Sequence, residues 1–396
     1  MTKSHRGSIA VVSKYFYPVA AGIEVNVLET YSVLAGLGWD VTIYTSRDTL
    51  TEKSVLPQTD NIRGLKVIRY PFANDYFGYV PEINWKSVDV VCLHNFNVFH
   101  FWILLYVGWF KLLGRKKFAL IVTPHGAFNP EWSIYPKWSM AFPKQLYHYI
   151  IGTFFMNTVA DKMRAVSNWE RQEIINKGVH PDKVEVISNG LEDEAYQDID
   201  SLASSQIKDR VKKIGRYLIQ IGRVYPIKNY ETVIKALPDI PSDVKFIIAG
   251  PIESNYNDTY YAALKDLISN LHLENRVIFW GVIRGVDKYY LIKHAQMMVH
   301  MALWESFCNV VHEGMSQGLV CIVANNTALP YLVKNGVNGY LIDTHDYVSL
   351  ARKINYTLDP KNSREIKLIQ SYNTKHGRDN SWRQVALKMD KLYKNL

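Results

Sequence analysis

Residues 304–315 read WESFCNVVHEGM, and this stretch contains two glutamates, Glu305 and Glu313, that stand eight positions apart. It follows an apolar run and opens an amphipathic segment, which predicts a loop between a buried strand and a helix. Open α/β sheets bind ligands at the carboxyl ends of their strands, and the first amide groups of a helix attract a diphosphate. Glu313, about two helical turns beyond Glu305, could accept ribose hydroxyls while Glu305 meets a sugar.

A second loop upstream carries the charge that such a site needs. Residues 222–229 read GRVYPIKN after an apolar run and contain two cations, Arg223 and Lys228. A leaving nucleoside diphosphate develops negative charge that either a metal ion or fixed cations must neutralise. Because no paired-aspartate motif follows a predicted strand, we predict no metal site and assign this charge to Arg223 and Lys228.

Short apolar runs alternate with helix-length amphipathic segments along the chain, which is typical of parallel strands buried on both faces. Helices are predicted over residues 25–37, 143–158 and 381–396. The alternation predicts an α/β protein with two Rossmann-like, doubly wound parallel-sheet domains. The predicted strands are residues 9–13, 41–45, 66–70, 88–93, 118–122, 163–167 and 184–187, then 217–222, 244–249, 276–279, 297–300, 320–324 and 339–342.

The 396 residues favour two domains over one enlarged core. Residues 191–213 are rich in acids and serines and lack a strand-like run, so we interpret them as an acidic linker. The predicted division is residues 1–200, residues 201–380, and a final helix over 381–396 that crosses back to the first domain.

These motifs resemble those of glycosyltransferase family four. The stretch 305–313 resembles that family's Glu-x7-Glu signature, and Arg223 and Lys228 match its diphosphate-binding pair. Further matches, in the right order over roughly residues 8–345, are YPVAAGIE at 17–24, TPHGAF at 123–128, ISNGL at 187–191 and VNGYL at 337–341. The resemblance implies the GT-B fold, in which an acceptor-side domain and a nucleotide-sugar donor domain face a cleft.

The resemblance also implies roles for individual residues. Glu313 would bind the ribose and Glu305 the hydroxyls of the donor sugar, and both Arg223 and Lys228 would bind the diphosphate. In the first domain, Gly22 would let the backbone approach the β-phosphate, and His125 would reach the donor sugar or the acceptor. The residues implied to line the sugar and phosphate are Phe307, Cys308, Asn309 and Val310.

The family retains the anomeric configuration of the donor sugar. Front-face departure is the mechanism usually proposed, with the leaving phosphate deprotonating the acceptor. The catalytic residues implied are therefore Glu305, His125, Arg223 and Lys228, with no protein general base and no cofactor beyond the nucleotide-diphosphate sugar, UDP- or GDP-linked, as substrate.

The sequence departs from the family pattern at several places. Cys308 stands where glycine is common, and Ala21 replaces the first glycine of the N-terminal pair. His312 occupies a position that is usually apolar. Residues 327–331 read TALPY where two glycines and an acid are expected, so an altered sugar pocket is predicted. His300 is interpreted as an ordinary strand histidine.

The net charge of +9 is spread along the chain. Residues up to 190 have 20 Lys+Arg against 15 Asp+Glu, and the remainder has 26 against 22, an excess of +5 and then +4. No nucleic-acid motif accompanies it, so nucleic acid is not predicted as a partner. An anionic lipid or substrate is favoured, and a solvated basic surface without a partner stays open.

Residues 96–117 read FNVFHFWILLYVGWFKLLGRKK. The apolar part is shorter than the roughly 20 residues that a spanning helix needs. Either a helix buried in the first domain or a helix that touches headgroups beside a basic cluster fits it. With no signal peptide recognised and three cysteines in apolar runs, we expect a cytoplasmic protein, peripheral at the inner face of the cell membrane in the second case.

The predicted function is a retaining glycosyltransferase acting on a saccharide acceptor, lipid-linked in the leading hypothesis, in surface polysaccharide, glycolipid or glycan assembly. A soluble acceptor such as a sugar phosphate stays open. A nucleotide-sugar epimerase of the same fold and a catalytically inactive nucleotide-sugar binder are the alternatives. The aromatic stretch 128–149 is a candidate acceptor surface.

Overall fold

The computed structural model describes residues 5–19, 21–49, 52–71, 82–126, 146–252 and 258–396. The chain divides into two compact units, one made of Met1–Gly190 with Trp382–Leu396 and the other of Leu191–Ser381. Of the candidate residues, Ala127 and Phe128, together with most of the aromatic stretch 128–149, lie outside the described part.

The first unit is built on an eight-stranded sheet with the order β3-β4-β2-β1-β5-β6-β7-β8. All seven predicted strands are present, and every neighbouring pair is parallel except β3 and β4. The strands are β1 (Gly7–Val12), β2 (Trp39–Ser46), β3 (Thr59–Ile62), β4 (Leu65–Tyr70), β5 (Val90–His94), β6 (Ala119–Thr123), β7 (Lys162–Ala165) and β8 (Val184–Val186).

Apolar clusters cover both faces of this sheet. One of them includes residues of the C-terminal helix, whose Trp382, Val385 and Met389 pack with Tyr31 and Trp39. The described helices of this unit are α1 (Gly22–Gly36), α2 (Phe101–Leu112), a π-helical turn (Tyr147–Gly152), α3 (Thr153–Thr158), α4 (Asn168–Asn176) and α14 (Trp382–Lys394).

The second unit has a six-stranded, fully parallel sheet with the order β11-β10-β9-β12-β13-β14. The six predicted strands are confirmed. They are β9 (Tyr217–Ile221), β10 (Lys245–Ala249), β11 (Val277–Gly281), β12 (Met297–His300), β13 (Cys321–Ala324) and β14 (Gly339–Ile342).

Helices flank this second sheet and bury it in one continuous apolar core. Those described are α5 (Ile199–Leu202), α6 (Ser205–Ile214), α7 (Tyr230–Ala236), α8 (Asp258–Asn270), α9 (Gly285–Lys293), α10 (Asn309–Ser316), α11 (Leu329–Leu332), α12 (Tyr347–Leu358) and α13 (Ser363–His376). Single 3-10 turns in the two units are Val98–His100, Pro181–Lys183, Asp193–Tyr196, Pro226–Lys228, Leu237–Asp239 and Pro360–Asn362.

The interpretation of residues 191–213 as a linker is wrong. The segment folds onto the second unit, where Leu191, Ala195 and Ile199 form a small core with Tyr289. The amide of Gln317 also donates to the carbonyl oxygen of Ala195 over 3.2 Å. The division therefore lies at Gly190 rather than at residue 200.

The strand order of the second unit fixes where a ligand can bind. From β9 the chain adds β10 and β11 on one side, then returns to add β12, β13 and β14 on the other. The crevice at such a switch point, outside the carboxyl ends of the strands, is the usual ligand site of open α/β sheets. Residues 222–229 follow β9 and residues 301–308 follow β12, so both predicted loops meet there.

Candidate functional site

The loop after β9 is shaped by close approach of backbones. A Cβ atom on Gly250 would lie 2.0 Å from the carbonyl oxygen of Gly222, so only glycine fits at residue 250. A Cβ on Gly222 would lie 3.1 Å from Cε of Lys228. The missing side chain at Gly222 thus leaves room for Lys228, which ends the 3-10 turn Pro226–Lys228, to reach back over the strand end.

Asn229 ties this loop to the loop after β12. Its backbone is left-handed, with φ of 50°, a conformation that asparagine tolerates better than most residues. Its buried side-chain amide donates to the carbonyl oxygens of Met301 and Thr344, each over 2.8 Å. The amide of Leu303 donates to the carbonyl oxygen of Ile227 over 2.8 Å. These bonds fix the position of Glu305 relative to Lys228.

Glu305 lies between two nitrogen groups. Its Oε1 is 2.5 Å from Nζ of Lys228 and 2.8 Å from Nε2 of His300. Burial alone would raise the pKa of Glu305, but Lys228 and His300 outweigh it and lower the pKa to about 2. Glu305 is therefore a carboxylate at neutral pH.

His300 contributes to this arrangement as a neutral ring. It is fully buried, and burial lowers its pKa more than Glu305 raises it. A neutral imidazole carries one N–H, and the bond to Glu305 places that proton on Nε2. His300 does lie in strand β12, as interpreted, and its ring also contacts the carboxylate of Glu305, which the sequence did not indicate.

Thr327, where the family pattern has glycine, also supports Glu305. Its Oγ1 accepts a hydrogen bond from the backbone N–H of Glu305 over 3.0 Å. It has φ of 44°, in the region that favours glycine. Thr327 therefore adopts a backbone conformation that favours glycine, and its hydroxyl bonds to the backbone of Glu305.

Cys308 likewise adopts a conformation that glycine favours. It precedes α10 with φ of 79° and ψ of 75°, and its side chain is buried in the core of the second unit. Phe307 is buried beside it, whereas Asn309 and Val310 are half-buried at the first turn of α10. These four predicted lining residues lie together at the helix start.

Glu313 lies one turn further along α10 and is buried. Its Oε1 is 3.2 Å from Nζ of Lys288 on α9, and its Oε2 has no hydrogen-bond partner within the described residues. Burial raises the pKa of Glu313, and Lys288 opposes that rise. A buried carboxylate oxygen left in this way can accept a ligand hydroxyl.

Arg223 differs from these residues in being exposed. Its guanidinium lies 5.7 Å from the ring centre of Tyr225, along the same loop. Of the two predicted phosphate-binding cations, Lys228 is half-buried beside a carboxylate and Arg223 is exposed.

One group in the described chain has the composition of a metal site. Ligand atoms of His300, Glu305 and Cys308 lie within 4.8 Å of one another. The oxygen of Glu305 that would bind a cation is taken by the Lys228 ammonium. Burial also raises the pKa of the Cys308 thiol well above its ordinary value, which opposes the thiolate that metals require. The three residues fit a metal poorly.

The two candidates in the first unit, Gly22 and His125, lie on separate elements. Gly22 is the first residue of α1. His125 follows β6 with φ of 54° and is buried. Its Nε2 is 2.9 Å from Nδ1 of His94, and Nε2 of His94 is 2.9 Å from the hydroxyl of Tyr31. Burial lowers the pKa of His125 to about 3, so the ring is neutral.

The helix predicted from residues 96–117 is α2, and it is neither fully buried nor long enough to span a bilayer. Ile103, Leu104 and Val107 face the core, while Trp109 is 60% exposed and Leu112 is 78% exposed. Across the described residues, every helix falls short of the length and apolar character that crossing a membrane requires.

The basic cluster beside α2 is partly engaged within the protein. Lys111 donates to the carbonyl oxygen of Thr158 over 2.6 Å, and Lys116 pairs with Asp161. Arg115 and Lys117 are exposed. All three cysteines, Cys92, Cys308 and Cys321, are buried free thiols.

Comparison with known proteins adds two matching families. The family described as "Glycosyl transferases group 1" matches residues 204–372, and the one described as "Glycosyltransferase Family 4" matches residues 20–195. A D-inositol 3-phosphate glycosyltransferase of Corynebacterium glutamicum (strain R) is 23% identical over 97% of this chain and 96% of its own length.

Two solved structures have the same fold. Anabaena HepE in complex with UDP and glucose superposes with a TM-score of 0.75 at 18% identity, over 98% of this chain and 100% of that one. Sucrose-phosphate synthase from Thermosynechococcus elongatus superposes with a TM-score of 0.77 at 18% identity, over 98% and 99% of the two chains.

Proposed function

The chain is a nucleotide-sugar glycosyltransferase of the family-four type with the GT-B fold, and on that premise we propose that it transfers a hexose with retention of configuration and without a metal ion. The observation that carries this proposal is the pairing of Lys228 with an ionised Glu305 at the switch point of the second sheet. UDP is the first donor nucleotide to test, because the similar HepE was solved with it.

Lys228 and Arg223 supply the charge that the departing diphosphate requires. Lys228 is held 2.5 Å from Glu305, so it can turn from the carboxylate to a phosphate oxygen as the donor binds. Arg223 is exposed on the same loop. Backbone N–H groups at the start of α10, from Asn309 onward, add the positive end of a helix dipole. Fixed cations and amides thereby take the part that a metal ion plays in other transferases.

Glu305 and Glu313 bind different parts of the donor, the sugar and the ribose respectively. With its pKa at about 2, Glu305 accepts hydrogen bonds from sugar hydroxyls and stabilises positive charge that develops at the anomeric carbon. Glu313 accepts the ribose hydroxyls through the carboxylate oxygen that has no partner within the described residues. The leaving phosphate takes the proton of the acceptor hydroxyl on the face it vacates, which gives retention.

His125 and Gly22 serve the sugar and the β-phosphate from the first unit in this proposal. A neutral His125 donates from one ring nitrogen and accepts at the other, and its contact with His94 uses Nε2. The remaining nitrogen, Nδ1, is the one proposed to meet a sugar hydroxyl.

The acceptor is proposed to be a saccharide on a lipid carrier at an anionic membrane surface. The exposed face of α2, with Trp109 and Leu112, adjoins Arg115 and Lys117. An apolar face beside exposed cations is typical of helices that lie in the headgroup layer. A soluble phosphorylated acceptor is the second candidate, because the similar Corynebacterium protein is a D-inositol 3-phosphate glycosyltransferase.

The donor proposal is tested by incubating the protein with UDP- and GDP-hexoses in EDTA, with and without membrane lipid extract, and measuring nucleoside diphosphate by mass spectrometry. Glu313→Ala and Lys228→Ala should abolish release, while Lys235→Ala, an exposed lysine on α7, should not. Release that disappears in EDTA would contradict the metal-free site. Release as a free epimerised sugar would identify an epimerase, and binding without release under every condition would identify an inactive binder.

The acceptor proposal is tested by sedimentation with vesicles of phosphatidylglycerol and phosphatidylcholine. Binding to the anionic vesicles should fall with added salt and should fall at least about fivefold in Trp109→Ser/Leu112→Ser, since each side chain contributes about 1 kcal/mol or more of apolar burial. Leu368→Ser, which changes another strongly exposed leucine, in the second unit, is the control. Equal binding by all three proteins would refute this surface.

A further inference from the structure

We propose that Lys288 is a positioning residue of the donor site, which holds the carboxylate of Glu313 charged and aimed at the ribose while sharing its ammonium with a second carboxylate, Glu192. The proposal rests on the assignment of Glu313 to the ribose.

The three side chains form a partly buried triad, which no sequence motif indicates. Lys288, on α9, has a side chain that is only 11% exposed. Its Nζ is 2.6 Å from Oε2 of Glu192 and 3.2 Å from Oε1 of Glu313. Glu192 belongs to the segment after Gly190 that folds onto the second unit. One ammonium therefore bridges two carboxylates from separate elements.

A lysine can serve both carboxylates, since its ammonium carries three N–H donors. Its shorter bond goes to Glu192, which leaves the longer contact and one unpartnered oxygen, Oε2, on Glu313. A ribose has two neighbouring hydroxyls to donate. Lys288 thus holds Glu313 in place through Oε1, and Oε2 can accept the ribose hydroxyls.

Charge is the reason that this position needs a cation. The titratable groups facing Glu313 are Lys288 and Tyr289 from α9 and the carboxylates Glu192 and Glu194 from the segment after Gly190. Burial and both carboxylates raise the pKa of Glu313, and Lys288 alone among these opposes them. Without the lysine, the pKa of Glu313 would rise further, so more of the carboxyl would be protonated at neutral pH, and a protonated carboxyl accepts two hydroxyls poorly.

The test is calorimetric binding of UDP, or of GDP if only GDP-hexoses react, between pH 6 and pH 8.5. Affinity should rise with pH as Glu313 ionises. Lys288→Met raises the pKa of Glu313 further, so the rise should move to higher pH and binding at pH 7 should weaken by about tenfold per unit of that shift. Lys288→Arg should restore the wild-type profile, and Glu192→Gln, which removes a like charge, should move the rise to lower pH.

Two controls separate positioning from folding. Lys293→Met removes a lysine of the same helix that pairs with Asp200 instead, and should leave binding unchanged. The 2′,3′-dideoxy nucleotide lacks the hydroxyls at issue, so Lys288→Met should weaken its binding much less than that of the parent nucleotide.

An equal loss for both nucleotides, or an unmoved pH profile, would overturn the role of Lys288. If Glu313→Ala binds the nucleotide as tightly as the wild type, the assignment of Glu313 itself fails, which is a separate result.

Discussion

Replacing Lys228 by methionine should both inactivate the enzyme and destabilise the second unit. The ordinary carboxyl pKa of 4.5 falls to about 2 at Glu305, where Lys228 and His300 oppose the effect of burial. At about 1.36 kcal/mol per unit, ionised Glu305 is favoured in the folded state by about 3 kcal/mol. Removing one partner of a mostly buried pair costs about 3 kcal/mol or more, which agrees with that figure.

The loss should appear in thermal unfolding followed by tryptophan fluorescence. For a unit of 191 residues, Leu191–Ser381, about 3 kcal/mol corresponds to a decrease in Tm of about 6–12 °C at pH 7. Because the folded pKa of Glu305 is depressed, its stabilising effect is complete above the unfolded value of 4.5 and is lost as pH falls toward 2. The difference between wild type and variant should therefore shrink between about pH 5 and pH 3.

A double-mutant cycle decides whether the pair is the cause. Glu305→Gln removes the charge, so Lys228→Met/Glu305→Gln should regain most of the stability that Lys228→Met loses while staying inactive. If the double variant is as unstable as the sum of the two single variants, the residues are not coupled and the reasoning from the Lys228–Glu305 contact is refuted.

Three further outcomes are expected. Cys308→Gly should change the unfolding free energy by less than about 1 kcal/mol, because relief of its positive φ offsets the lost packing, whereas Cys321→Gly in extended β13 should cost about 2 kcal/mol or more by urea denaturation. The pH dependence of activity should show no titration of His125 between pH 5 and pH 8, since burial lowers its pKa to about 3. His94→Phe removes the imidazole that contacts His125, so it should lower kcat by about tenfold or more while leaving nucleotide affinity within about twofold. A large loss of nucleotide affinity would contradict a role of His94 in positioning His125. Asp390→Asn should lower the free energy of unfolding by about 1–2 kcal/mol in chemical denaturation, because the carboxylate bonds to a lysine, an arginine and an indole N–H, and an unchanged value would show those bonds to be worth nothing.

The sheets were predictable because parallel strands buried on both faces leave short runs of apolar residues in the sequence. All thirteen predicted strands are present, and the one omission, β3, reads TDNI and is largely exposed at a sheet edge. Such a strand carries neither the apolar run nor the alternation on which a prediction relies. The acidic segment after Gly190 was misread for a related reason, since few apolar residues, such as Ala195 and Ile199, anchor it.

The residues of the candidate site that lie close together in sequence could be predicted. Those that come together only in the folded structure could not. Glu305 and Glu313 share one stretch, and Lys228 follows a strand-end glycine, so local patterns suffice. His300 and Lys288 reach the two glutamates from other elements, and only the fold brings them there. A buried carboxylate is costly unless a cation or a hydrogen-bond donor neutralises it. Two glutamates predicted at a buried site were therefore the signal that partner groups should be sought elsewhere in the chain.

Because the C-terminal helix packs in the first unit, the two units become complete in a fixed order during translation. Tyr31 and Trp39 of the first unit pack with Trp382, Val385 and Met389, and 191 residues of the second unit, Leu191–Ser381, separate the two parts. At about 5–20 residues per second, translation of that intervening stretch takes on the order of 10–40 s. The nascent first unit therefore keeps one apolar face uncovered until α14 emerges, while the second unit, which is continuous in sequence, can fold first.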